Sequence, residues 1–131
     1  MNMKIHEQEF GRAFVQSERR VRLLEFLSVP KKRRKLIRKF DHLKSRFLDV
    51  RFMIALQGPA ALPPNVFATL RKMGAPASCW VMGGRFDEEE KDLLEAIKDS
   101  GDRFVLSCIP GKLAYMKTED DEYILSRPRA D

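Results

Sequence analysis

"SCWVMGGRFDEEEKDLLEAIKDSGDRFVLSCI", residues 78–109, decides the fold. Its first seven residues are an apolar run that stops at a glycine pair, the pattern of a buried strand. The acids that follow open a helix over 87–101, with Asp87 as cap, Glu90 three residues on and Gly101 after the end. "RFVLSCI" (103–109) is a second strand. A strand, a helix and a strand in succession predict a right-handed crossover between parallel neighbours.

Downstream, "PGK" (110–112) is turn chemistry, and "LAYMK" (113–117) and "YILSR" (123–127) are strands joined through the acidic turn "TEDDE". Upstream, "VRFMIAL" (50–56) is a short apolar run that periodicity alone assigns to neither strand nor helix. The proline-rich "QGPAALPPN" (57–65) is a loop, and Pro64 and Asn65 open a short helix, Val66 to Met73, closed by Gly74.

The front of the chain is helical. Over 7–27, Phe10, Phe14, Val21, Leu24 and Leu27 recur at helical spacing, widened by Ala13 and Leu23. Pro30 ends that helix and suits the first turn of the next, for which Ser28 is the expected cap. The second helix spans 31–48, with Leu36, Ile37, Phe40, Leu43, Phe47 and Leu48 on one side. The expected fold is α+β: an N-terminal helical hairpin packed with a small mixed sheet of three to five strands and one crossover helix. Residues 1–131 form a single domain, with a basic front (1–51), a sheet-forming back (52–127) and a short tail (128–131).

With 44% hydrophobic and 34% charged residues, the chain has the composition of a globular rather than a disordered protein. No run approaches the roughly 18 apolar residues that cross a bilayer, so no membrane partner is expected. The opening MNMKIHEQEF lacks the apolar core of a secretory signal, and two cysteines do not make a disulfide scaffold. The expectation is a cytoplasmic protein with reduced thiols. The sequence leaves the oligomeric state open.

Net charge is +6, divided as +9 over residues 1–51 and −3 over 52–131. Seven cations and no acid lie between Lys31 and Lys39. Three readings compete for this run. "PKKRRK" satisfies the loose pattern of a nuclear address, although it runs straight into an amphipathic helix. The run is also the solvated face of a structural helix: Lys35, Arg38, Lys39 and Arg46 fall away from the apolar side, whereas Arg33 falls inside the apolar arc. The third reading is an anion site. A helix start carries about half a positive charge, so acids are favoured there and cations cost about 0.3–1 kcal/mol each. The segment at Asp87 obeys this rule, and five consecutive cations from Lys31 invert it. A visiting anion would relieve the inversion.

The candidate anion-binding residues are therefore Lys31, Lys32, Arg33, Arg34, Lys35, Arg38 and Lys39, extended by Arg19, Arg20 and Arg22 if the two helices fold back on each other. Nucleic-acid backbone is the leading partner, because non-specific contact to it needs only Lys and Arg. An acidic protein surface serves as well. No zinc-finger spacing, aromatic RNA-binding signature or convincing helix-turn-helix supports base-specific reading.

Catalytic signals are weak. Cys79 and Cys108 each follow a serine inside an expected strand; they are candidate reactive thiols, though small buried core residues by type. His42 falls on the polar side of its helix beside Asp41, and His6 lies near the terminus, outside the expected folded region. The histidine and cysteine spacings hold no local ligand pair, so no metal is expected. Gly83–Gly84 lacks both phosphate-loop patterns, and no cofactor is expected. Residues 87–90 and 119–122 read as a helix start and a hairpin turn rather than as acid/base pairs. Trp80 reads as a core residue rather than as a pocket wall with Met82 and Tyr115. The expected function is a non-catalytic binding module for a polyanion. The alternatives are an interaction or inhibitor-type module with an acidic partner, and a thiol-dependent enzyme or redox sensor.

Overall fold

A computed structural model of the chain describes residues 5–39 and 42–127. The helices are α1 (Ile5–Phe14), α2 (Arg20–Ser28), α3 (Pro30–Arg38), α4 (Leu43–Arg46), α5 (Pro63–Lys72) and α6 (Leu93–Asp99). The strands are β1 (Met53–Ala55), β2 (Ser78–Met82), β3 (Glu90–Asp92), β4 (Phe104–Ile109), β5 (Leu113–Lys117) and β6 (Glu122–Ser126). They form one six-stranded sheet in the order β1-β6-β5-β4-β2-β3. The fold is α+β, with the N-terminal helices packed on the sheet.

The two faces of the sheet alternate residue by residue, as strand geometry requires. Trp80, Met82, Val105, Ala114, Met116, Tyr123 and Leu125 share a core with Phe10, Phe14, Leu23, Leu27, Leu36, Leu43 and Phe47 of the front helices. Cys79, Val81, Phe104, Leu106, Cys108, Leu113, Tyr115 and Ile124 pack on Val66 and Leu70 of α5 and on Leu93, Ala96 and Ile97 of α6. Trp80 is thus a core residue, and Tyr115 lies on the opposite face of the sheet.

Among the described residues every strand pair is antiparallel, so the expected mixed sheet is not found there. β2 and β4 pair antiparallel, with Trp80 opposite Ser107 and Met82 opposite Val105. The unforeseen strand β3 explains the difference. It turns back along β2, and α6 then crosses to β4, so the parallel relation is between β3 and β4, with β2 between them. Six strands exceed the expected three to five because β1 and β3, three residues each, carry too few positions to show a period. The run 50–56 is therefore divided between a 3₁₀ turn (Val50–Phe52) and β1, which pairs with β6.

The helix expected over 87–101 starts later. Glu88 has φ 62°, a left-handed conformation that no helix continues. The cap is Asp92, whose carboxylate accepts the Glu95 amide at 3.1 Å. The front helices are also divided. Val15 leaves the helical path to bridge Leu48, and Asp49 N donates to the Phe14 carbonyl at 2.8 Å. This break resets the helical phase, so Val21, expected on the apolar stripe, is 82% exposed. Val29, not Ser28, occupies the N-cap position of α3, and Ser28 Oγ donates back to the Glu25 carbonyl. The expected contributions of Phe40 and Asp41 lie outside the described residues.

Gly84 fixes the exit from β2. Its φ is +69°, and a Cβ there would collide with the Ser100 carbonyl, which already accepts the Arg85 amide. Gly84→Ala is expected to destabilise the fold by about 1–3 kcal/mol, the usual cost of a strained backbone position. Urea unfolding measures it, and an unchanged midpoint would refute the tight exit.

Candidate functional site

The basic run of the sequence divides into three parts in the folded chain. Arg33 is buried, and all five of its N–H donors are used. Nη1 and Nη2 donate to the two oxygens of Glu7 at 2.8 and 2.9 Å. Nε and Nη2 donate to Asp87 at 3.0 and 2.7 Å, and the second Nη1 proton reaches the Leu27 carbonyl at 3.1 Å. Glu88 stands 3.4 Å from Nε. The carboxylates are themselves held: Trp80 Nε1 donates to Glu7 at 2.9 Å, and the Gly83 amide donates to Asp87 at 2.6 Å. Burial alone would disfavour the charged guanidinium. The hydrogen bonds to Asp87 and Glu7 outweigh it, and the pKa lies above the ordinary arginine value. Arg33 therefore turns inward, away from any ligand, and the acids around Asp87 are its counter-charge rather than a helix start.

Lys32 is the second part: its ammonium pairs with Glu25 of α2. That contact holds the Glu25 carboxyl below the usual carboxylate range. The third part is exposed. Among the described residues, Lys31, Arg34, Lys35, Arg38 and Lys39 form no ion pair. Helical spacing sets these cations in two rows. Lys31, Arg34 and Arg38 follow one another by three and four residues on the outer side of α3. Lys32, Lys35 and Lys39 do the same along the side that faces α4.

The inner row borders a groove of about 300 Å³ between α2, α3 and α4. Its floor is Phe26, Leu36, Leu43 and Phe47, and its rim carries Lys32, Lys35 and Lys39 on one wall with His42 and Arg46 on the other. Phe26 meets Phe47 edge-on, with ring centroids 6.2 Å apart. The expected extension by arginines of the first helix is uneven. Arg22 lies over the Phe26 ring at 5.5 Å, at the edge of the groove. Arg20 Nε turns back to the Val15 carbonyl, and Arg19 is exposed before α2 begins. Sequence reading missed the groove, because only the fold sets Phe26 beside Phe47.

The thiols have a different setting. Cys79 and Cys108 are both buried and both free. The β2–β4 register, continued by one residue, sets them opposite each other. Burial pushes the Cys108 thiol up to about 12. Burial, then Cys108 and the acids Asp92 and Glu90, raise Cys79 further. Activated thiols are shifted the other way. Contrary to expectation, His6 belongs to the folded region: its Nδ1 lies 2.7 Å from Ser107 Oγ. Ser107 precedes Cys108, but the alternation of the strand sends the thiol to the opposite face. Ser107 itself is 1% exposed, so this hydroxyl is packed away from any substrate. Among the described residues no cluster of histidine, cysteine, aspartate and glutamate could hold a metal ion, and no helix is long and apolar enough to cross a membrane.

Compared with known protein families, curated proteins and solved structures, the chain matches none.

Two outcomes are expected here. Arg33→Met removes the guanidinium that the buried Glu7 and the partly exposed Asp87 share, a loss of about 3–5 kcal/mol. Lys31→Met on the exposed row changes stability by less than about 0.5 kcal/mol. Chemical denaturation compares the two, and equal effects would contradict the assignment. Burial lowers the His6 pKa, against the opposing pull of Glu90 and Glu7. The unfolded chain then takes up the proton first. The folded state loses stability as pH falls below about 6.5 and through the lower folded value. His6→Gln should remove that slope. A wild-type-to-variant difference constant from pH 8 to pH 5 would show that His6 is not the group responsible.

Proposed function

We propose that this protein is a non-catalytic binding module that contacts a polyanion, with nucleic-acid backbone as the leading ligand. The observation that carries this reading is the outer row of α3. Lys31, Arg34 and Arg38 stand exposed within one face of two helical turns, whereas Lys32 and Arg33 of the same helix have carboxylates of the chain itself as partners. The fold supplies carboxylates where charge is buried and leaves this row to solvent. Arg19 adds to the exposed positive surface ahead of α2.

The inverted helix start is a weaker support than its sequence suggested. Arg33 has Glu7 and Asp87, and Lys32 has Glu25. No visiting anion is needed to stabilise those two. What supports the reading is the spacing and exposure of the remaining cations. Such a surface attracts phosphate through charge alone and carries no means of reading bases. The raised thiol pKa values favour no redox or nucleophilic role.

Binding to a DNA duplex is expected to fall linearly in log–log form with salt, with a slope of about −0.9 per phosphate contacted. The triple reversal K31E/R34E/R38E should abolish retention on a DNA column at about physiological salt and flatten the slope for the remaining weak binding. Arg33 is left intact in this test because its replacement reports unfolding. Retention unchanged by the triple reversal would overturn the proposal.

A further inference from the structure

The groove between α2, α3 and α4 joins two features that the outer row lacks: an apolar floor and cations on both walls. From this we infer that it is a docking site for an acidic amphipathic peptide segment of a partner protein. The partner's large apolar side chains would enter over Phe26 and the edge of Leu36. Its carboxylates would meet Lys35 and Lys39 on one wall and Arg46 on the other. The chemistry follows from charge complementarity along a line. Lys35 and Lys39 are four residues apart, about 6 Å of helix rise, so they match acids one turn apart on a partner helix. One small head group spans neither that separation nor both walls.

Single-stranded nucleic acid fits the same groove less well. Stacking needs an open aromatic face. Phe47 is 1% exposed, Arg22 lies over the ring of Phe26, and the contact of Phe26 with Phe47 is edge-on. The floor is shaped for aliphatic or aromatic insertion rather than for a stack of bases. At about 300 Å³ the volume stands at the small end of ligand sites, in keeping with one or two inserted side chains. Lys32 adds little, because Glu25 already holds it.

This inference is separate from the polyanion reading, which rests on the neighbouring outer row of α3, and the two fail separately. The probe is a fluorescein-labelled helical peptide with leucine and phenylalanine on one face flanked by glutamates. A second peptide has the same composition with its apolar residues dispersed around the helix. Fluorescence anisotropy at physiological salt should show saturable binding of the first and at least about ten-fold weaker binding of the second. K35E/K39E should weaken binding at least about ten-fold, and R34E/R38E, the same charge change on the same helix, by less than about two-fold. All four positions are exposed, and thermal melts confirm that both variants fold. The inference is overturned by equal binding of the two peptides, by equal loss in the two variants, or by absence of binding at millimolar protein. Displacement of the peptide by equimolar oligothymidylate or decanoate would also overturn it, and would assign the groove to nucleic acid or to a small amphiphile.

Discussion

The fold depends on one buried guanidinium. Arg33 of α3 is gripped by Glu7 of α1 and by Asp87 from the loop that leaves β2, and it also holds the last turn of α2 through the Leu27 carbonyl. Four segments, two of them 26 and 54 residues from Arg33, meet at one planar fork. A charge taken out of water costs several kcal/mol unless its hydrogen bonds are complete. Here they are complete, and the carboxylates are satisfied in turn by Trp80 and by the Gly83 amide. Arginine suits this place because it offers five donors in fixed directions; lysine would offer three around a single point. The apolar surfaces of the front helices and of the sheet drive association. The guanidinium decides in which relative position they associate.

That constraint explains why one cationic run has three fates. Fixing Arg33 inward fixes the rotation of α3 about its own axis. Lys31, Arg34 and Arg38 must then face solvent, and Lys35 and Lys39 must border α4. The anion-facing properties of the surface are thus a geometric consequence of a structural charge. Either exposed row can lose its charge with little effect on stability, whereas Arg33 can carry no ligand without opening the core.

Much of the fold was legible in the sequence. The apolar runs 78–84, 103–109, 113–117 and 123–127 mark β2, β4, β5 and β6, and the last three follow one another as hairpins. Less of the site was. Arg33 falling inside the apolar arc was the one local sign of its role. Its partners at 7 and 87 are 26 and 54 residues away, and no pattern links them. The acids 87–90 resembled a helix start because local rules favour acids there. The actual reason for Asp87 is tertiary: it meets a guanidinium and a backbone amide, and Glu88 then takes a left-handed turn into β3. Short strands such as β3 were illegible for the same cause, since the partner strand rather than their own residues makes them strands.

The most direct test of this account is nitrogen-15 NMR of the arginine side chains in the folded protein at neutral pH. The account predicts one guanidinium, removed from the spectrum by Arg33→Lys, whose Nη protons are resolved by hindered rotation and whose Nε proton exchanges slowly with solvent. If every arginine instead gives averaged, rapidly exchanging signals, Arg33 is not clamped and the division of the basic run has no structural cause.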